Sequence, residues 1–178
     1  MNLNLLQQQL QQPNLAPLEL WDPPFCGDLP LRIAADGRWW YQGSVIEREA
    51  LVRLFASVLL CRDQQYFLLT PVEKVRIQVE DAAFVITELA SLDTDQGPVL
   101  QVTTNLQHQM LISAEYPLQL LPQANGQLLP YLQLWRGLTA KFSRNCYYQL
   151  VDLAEEQAGQ FFVYSGGQKF LLGASASG

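Results

Sequence analysis

The sequence is poor in the residues that build most catalytic and metal centres. It holds a single histidine, His108, and three cysteines, Cys26, Cys61 and Cys146, among 178 residues. The cysteines are odd in number and far apart, and none forms a CxxC pair, so a disulfide framework and a cysteine zinc site both fail on spacing. A Ser-His-Asp or Cys-His nucleophilic site would have to use His108. That residue lies in Leu106-Gln107-His108-Gln109, a polar stretch that reads as a turn between strands, and a surface histidine is expected. Positive charge is scarce as well. Eleven Lys and Arg stand against seventeen Asp and Glu, for a net charge of −6. Phosphate neutralisation by Lys and Arg supplies most non-specific nucleic-acid affinity, so neither DNA nor RNA is an expected partner, nor is an anionic membrane surface. No apolar run approaches the length that crosses a bilayer. Met1–Pro17 lacks the basic start and unbroken apolar stretch of a secretory signal, because Gln7–Gln9 interrupt the leucines. With its free thiols, the chain reads as cytoplasmic.

What is present is core material. Hydrophobic residues make up 49% of the chain and charged residues 16%, which excludes wholesale disorder. Residues 1–24 read as a Gln- and Pro-rich leader in which Leu3, Leu6 and Leu10 share one helical face. Leu31–Ile33, the Asp36-Gly37 turn and Trp39–Tyr41 form a β-hairpin pattern. Ser44 with Glu47 is spaced as a capping box, and Leu51, Leu54, Phe55 and Val58 follow at the spacing of a buried helical stripe. Glu49 and Arg53 add an i,i+4 ion pair. Strands are expected at 66–69, 75–79 and 82–89. The polar run 91–98 is the expected boundary between a first unit (25–95) and a second (96–173), followed by a tail (174–178). In the second unit strands are expected at 99–103, 110–113, 118–121 and 131–135, with a hairpin turn at Asn125-Gly126. A helix carries Tyr147, Leu150, Val151 and Ala154, with Gly159 as its C-terminal stop, and strands follow at 161–164 and 168–172.

The two halves match in order at an offset of about 95 residues. Trp40-Tyr41-Gln42-Gly43 corresponds to Leu134-Trp135-Arg136-Gly137, and Arg48 to Arg144, each at a helix start. Leu54-Phe55 corresponds to Leu150-Val151. Tyr66–Thr70 corresponds to Phe161–Ser165, with Lys74 and Lys169 each four residues further on. The fold class is therefore α+β, two tandem diverged copies of a strand-hairpin, helix and strand unit. Two similar units create a cleft, and ligand sites favour such places.

Three segments, Thr70-Pro71-Val72-Glu73-Lys74-Val75-Arg76-Ile77-Gln78-Val79-Glu80-Asp81-Ala82, Arg48–Phe55 and Trp40–Ser44, resemble a bacterial family known as domain of unknown function 1285. The likeness runs from about Phe25 to Gly173, with Ala83 where the family pattern leads one to expect proline. The resemblance implies a duplicated core of two α+β domains, the second loosely like a pleckstrin-homology fold. It also implies a nucleotide-like small ligand at the domain interface, in a signalling rather than a catalytic role. It brings no active-site residues.

The residues themselves offer one segment for chemistry. Period 2 puts Lys74, Arg76, Gln78 and Glu80 on one strand face and Glu73 on the apolar face with Val75, Ile77 and Val79. A carboxylate there needs a partner or the mouth of a pocket. One reading has Lys74 and Arg76 meeting an anionic ligand while Glu73 accepts from a base or ribose, or orients a cation. The plain alternative is a strand-end Glu beside a solvated charged face. Arg48 and Arg144 sit where the helix dipole disfavours a cation, so each calls for a partner, a carboxylate of this chain or a phosphate. Glu80-Asp81 point to opposite faces and do not form an acid–base pair. Ser165-Gly166-Gly167 lacks the context of a phosphate loop and reads as a hairpin turn. Trp39, Trp40, Tyr41, Tyr147, Tyr148 and Phe161 read mostly as core, with one or two able to stack on a base.

Together these features lead to a non-enzymatic sensor or regulatory module. It is expected to bind a small anionic, nucleotide-like ligand between its units through Arg48, Thr70, Glu73, Lys74, Arg76, Arg144, Ser165 and Lys169, with no cofactor or metal. A protein-interaction module without a small ligand is the main alternative, and a hydrolase or transferase using Glu73 the weaker one.

Overall fold

The computed structural model describes residues 2–13 and 15–174; the expected tail, apart from Ala174, lies outside the described residues. The chain divides into two compact units, Met1–Asp81 with Arg136–Leu138, and Ala82–Trp135 with Thr139–Gly178.

In the first unit, helix α1 (Leu3–Leu10) is capped by Asn2, whose side chain accepts from the Leu5 N–H at 2.9 Å, and buries Leu3, Leu6 and Leu10. It packs against α2 (Glu49–Ala56). Six strands follow the order β3-β2-β1-β6-β5-β4: β1 (Phe25–Ile33), β2 (Trp39–Tyr41), β3 (Ser44–Val45), β4 (Leu59–Arg62), β5 (Gln65–Leu69) and β6 (Lys74–Val79). Neighbours are antiparallel except the central pair β1 and β6, which runs parallel. Period 2 sorts the strands cleanly. Leu29, Leu31, Ile33, Trp39, Leu59, Leu68, Val75 and Ile77 are buried and form the core with Val52, Phe55 and Ala56 of α2. The Glu49–Arg53 pair is present at 2.7 Å.

Two local expectations change. Ser44 does not cap the helix. Gln42 and Gly43 both adopt positive φ (50° and 84°), the two-residue hairpin turn that carries Ser44 back alongside Tyr41 as part of β3. The helix starts at Glu49, with Arg48 at the N-cap making no side-chain cap bond. Its buried stripe is Val52, Phe55 and Ala56, one position on from the expected one, and Val58 lies beyond its end.

The second unit contains β7 (Phe84–Thr94), β8 (Gly97–Thr104), β9 (Gln109–Leu111), β10 (Leu118–Pro122), β11 (Leu128–Gln133), β12 (Thr139–Phe142), α3 (Arg144–Leu153), β13 (Glu155–Gln157), β14 (Gln160–Ser165) and β15 (Gln168–Ala174). Its larger sheet has the order β10-β11-β12-β7-β8-β9, again with a parallel central pair, β12 and β7; β13-β14-β15 form a separate sheet. Within the unit β15 packs against β10 and β11, and α3 against β7 and β12.

The polar run 91–98 is not a linker. It is the tip of the β7–β8 hairpin, where Thr94 pairs with Gly97 and its hydroxyl donates to the Gly97 carbonyl at 2.6 Å. Linkers and hairpin tips share polarity because both are solvated, so composition alone does not separate them. The units divide instead at Asp81/Ala82. Gly159 does not end α3, which stops at Leu153; Ala158 and Gly159 make the β13–β14 turn, both at positive φ.

The duplication is visible as element order. A three-stranded meander, a helix and a second meander (β1-β2-β3, α2, β4-β5-β6) recur as β10-β11-β12, α3, β13-β14-β15. Helices α2 and α3 start 95 residues apart, at Glu49 and Arg144, and so do β5 and β14, at Gln65 and Gln160. The copies close differently: β6 returns to pair with β1, whereas β12 pairs with β7 of an additional meander, β7-β8-β9. No helix among the described residues is long and apolar enough to cross a membrane.

Candidate functional site

The outward face of the first unit's sheet gathers aromatic rings and guanidiniums. The register sets Arg32 opposite Trp40 on one side and Gln78 on the other, and Asp28 opposite Arg76. The Arg32 guanidinium lies 5.4 Å, and that of Arg38 5.6 Å, from the centroid of the Trp40 ring, within the range of a cation–π contact. Arg32 is ion-paired with Glu80, whose second oxygen accepts from the Ala35 N–H at 2.8 Å. Arg38 holds Asp36 through its backbone N–H (3.0 Å) and its Nε (2.7 Å), and these bonds, the backbone one foremost, pull the Asp36 carboxyl below its usual range.

Trp40 lines a cavity of about 480 Å³ with Asp28, Arg32, Gln78 and the Gln42-Gly43 turn. A second cavity of about 450 Å³ on the same unit shares Arg32 and Gln78 and adds Arg76, Tyr66 and Glu80. The indole Nε1 of Trp40, like those of Trp21 and Trp39, is shielded from solvent and has no acceptor among the described residues. An unpaired shielded donor costs about 1–3 kcal/mol, so an acceptor arriving from outside would relieve it.

The eight residues singled out from the sequence fall into different environments. Arg76 lines the second cavity; its Nε and Nη2 grip Asp28 at 2.6 and 3.1 Å, and its guanidinium lies 5.6 Å from the Phe25 centroid. The hydrogen bond to Arg76 lowers the Asp28 carboxyl pKa, and the same bond raises that of Arg76. Thr70 is fully buried, and its hydroxyl oxygen accepts from the N–H groups of Val72 (3.2 Å) and Glu73 (2.9 Å), so it closes the turn before β6. Glu73 is half-buried and its Oε2 is shielded, with no hydrogen-bond partner among the described residues. Lys74 holds its Nζ 4.4 Å from the Phe67 centroid. Arg48 is exposed at the α2 N-cap.

In the second unit Arg144 is exposed at the first position of α3, after Ser143, whose hydroxyl accepts from the Cys146 N–H at 3.3 Å. Ser165 is buried, with its Oγ accepting from the Leu100 N–H at 2.9 Å. Lys169 donates to Gln157 Oε1 at 2.6 Å and sits 3.8 Å from the Phe162 centroid. Only Arg76 of the eight lines either first-unit cavity.

Arg32 and Arg38 were not among the binding residues expected from the sequence, and Trp40 stood only among six aromatics of which one or two could stack on a base. The signal was the Asp36-Gly37 turn itself: once that hairpin is closed, Arg32 must face Trp40. His108 also differs from expectation. It is half-buried, edge-on to Phe84 (5.4 Å) and Trp135 (5.3 Å), with Nδ1 3.3 Å from Thr104 Oγ1. Among the described residues no three His, Cys, Asp or Glu side chains gather as a metal site.

Comparison with known proteins adds the family. The model of the DUF1285 N-terminal domain matches residues 16–82 and that of the DUF1285 C-terminal domain residues 83–172, within one residue of the Asp81/Ala82 division of the structure, the Arg136–Leu138 segment aside. A DUF1285 family protein from Silicibacter pomeroyi DSS-3 is 37% identical, with 97% of this chain and 95% of that chain covered at a TM-score of 0.86. A DUF1285 family protein from Shewanella baltica OS155 is 35% identical over 70% of this chain and 91% of that one, with a TM-score of 0.55. No curated protein matches the sequence. With both domain models matched in order across nearly the whole chain, the protein belongs to the DUF1285 family, whose function is unknown.

Proposed function

We propose that this protein is a non-enzymatic sensor or regulatory module that binds a small anionic, nucleotide-like ligand on the outward face of its first unit. The observation that carries the reading is Trp40: a ring lying beside two guanidiniums, bordering a cavity, with an indole N–H that none of the described residues accepts. A base stacks on such a ring, a phosphate takes the guanidiniums, and the Gln78 amide offers both a donor and an acceptor to a base edge. The Arg32–Glu80 and Arg38–Asp36 pairs are at least partly exposed and so are cheap to exchange for a ligand.

The test is a thermal-shift screen against nucleotides and dinucleotide second messengers, with Trp40→Leu and Lys74→Ala alongside. A ligand at a hundred times its Kd adds ~2.7 kcal/mol, or roughly 5–10 °C at this size. A shift of that order that disappears in Trp40→Leu supports the reading and names the ligand class. Loss in Lys74→Ala instead moves the site to the Thr70–Lys74 turn. A screen that leaves the melting curve unmoved sinks the small-ligand reading.

One observation favours the interaction-module alternative. Tyr148, Val151 and Leu153 of α3 are exposed large apolar residues, as are Leu128 and Leu171 in the same unit. Under that reading the screen is flat, and Val151→Asp abolishes capture of a protein partner without lowering the melting temperature.

A further inference from the structure

The second unit holds a cavity that the proposed function does not use. Three aromatic rings from separate stretches of chain line it: His108 from the β8–β9 turn, Tyr116 from the loop before β10, and Trp135 just past β11. The space measures about 380 Å³. Trp135 meets His108 at 5.3 Å and 70°, and Tyr116 at 6.3 Å and 85°, so the rings stand across one another rather than stacking. Phe84, fully buried, backs both His108 (5.4 Å) and Trp135 (5.8 Å).

The walls are fixed by hydrogen bonds. Buried Thr104 accepts through Oγ1 from the N–H groups of Leu106 (3.3 Å) and His108 (3.2 Å). The same hydroxyl lies 3.3 Å from His108 Nδ1, so it ties the ring to the turn that carries it. The Tyr116 turn is closed in both directions, with its N–H donating to Ser113 Oγ (3.3 Å) and its carbonyl accepting from the Ser113 N–H (3.1 Å). Burial, then the neighbouring Glu115 charge, raises the Tyr116 phenol pKa, so this ring stays uncharged.

Among the residues lining the cavity the carboxylate outnumbers Lys and Arg. Glu115 is the single carboxylate among its lining residues, and no Lys or Arg lines it. The second unit as a whole carries seven Asp and Glu against three Lys and Arg. Such a field draws cations. The faces of Trp and Tyr attract a cation through their quadrupoles, most strongly when the cation sheds little water on entry. A bare ammonium is a compact, strongly hydrated charge, whereas a methylated one spreads its charge over an apolar surface that suits aromatic walls.

We propose that this cavity binds an organic cation of the methylated-ammonium class, with Trp135, Tyr116 and His108 as walls and Glu115 as counter-charge. The site uses other residues than the Trp40 face, so either proposal can fail without the other.

The experiment is an NMR titration of the full chain with tetramethylammonium chloride, followed at the Trp135 indole N–H, with sodium chloride as the ionic-strength control. Saturable shifts are expected, weakened roughly tenfold in Trp135→Leu and about two- to fivefold in the exposed, fold-neutral Glu115→Gln. Neopentyl alcohol, an uncharged compound with three methyls on a quaternary carbon and one hydroxyl more, is expected to bind roughly tenfold more weakly. Equal binding by the neutral compound, unaltered affinity in both variants, or shifts that merely track sodium chloride would overturn the proposal. Choline and a peptide bearing trimethyl-lysine then separate the two sources of the group: tighter binding of the first supports a free small cation, of the second a modified protein tail. A cavity that accepts tetramethylammonium but prefers the neutral compound to both is an ordinary apolar pocket, and the proposal falls.

Discussion

At Gly137 the backbone stands at φ +73°, and a Cβ there would lie 2.4 Å from the carbonyl oxygen of Cys61. Gly43, its counterpart in the sequence repeat, also has positive φ (+84°), but a Cβ there would meet nothing within 4 Å. The two glycines share a conformation and differ in space, which separates two costs. Left-handed backbone alone costs a non-glycine residue about 1–2 kcal/mol, while a clash with main chain that cannot swing aside adds about 1–3 kcal/mol. Gly43→Ala is expected to lower unfolding free energy by the first amount only and Gly137→Ala by the sum, about 2–5 kcal/mol. Urea denaturation of the two variants checks this, and equal losses would show that Cys61 does not crowd Gly137. The same contrast holds at the Trp40 face. Glycine in a turn can be read from sequence; an indole N–H without an acceptor cannot, because the lack depends on every neighbour at once.

At the scale of elements, pattern was legible wherever one face is buried and the other solvated. The Lys74–Glu80 alternation gave β6, and the 95-residue offset gave the pairing of α2 with α3 and of β5 with β14. Pattern failed where burial is one-sided in a different way. β13 (Glu155–Gln157) is exposed along its length and carries no alternation to detect, and β3 is two residues held by the turn before it. Arg48 and Arg144 were found at helix starts, yet their surroundings were not, since exposure is decided by chain that is distant in sequence. Ser165 shows the same limit: the sequence placed it at a turn as a ligand contact, whereas its hydroxyl ties β14 to β8 through the Leu100 N–H. Ser165→Ala leaves that buried donor unpaired, a loss of about 1–3 kcal/mol. Ser165→Thr, which keeps the oxygen, is expected to lose less. A chemical melt of both variants, with the Leu100 amide followed by hydrogen exchange, checks the assignment; unchanged exchange in Ser165→Ala would refute it.

On the scale of the whole molecule, both six-stranded sheets have the same order. Counting each sheet's own strands, the order is 3-2-1-6-5-4 in both, with the first and sixth parallel at the centre. The repeat in sequence and the repeat in sheet order are out of phase: the sequence copy begins at β10, the second sheet at β7. The boundary expected from the polar run 91–98 matches neither start, since that run is the tip of the β7–β8 hairpin.

A consequence is that the first unit is not one continuous stretch of chain. Arg136–Leu138 belongs to it, although more than fifty residues separate this segment from Asp81. Leu138 is fully buried, and burying a leucine is worth about 1.5–3 kcal/mol. Arg136 donates through Nη1 to the carbonyl of Ser57 at 2.9 Å, at the C-cap of α2, where a cation also suits the helix dipole. Residues 1–81 expressed alone would lack both contributions, an appreciable share of the stability of a unit this small. The fragment is expected to melt well below the full chain and with a broadened transition, and Leu138→Ala in the full chain to lose about 2–5 kcal/mol. Circular dichroism melts of the fragment, the variant and the parent check this. A fragment that melts as sharply and at the same temperature as the parent would show that Arg136–Leu138 merely rests against a unit already complete without it.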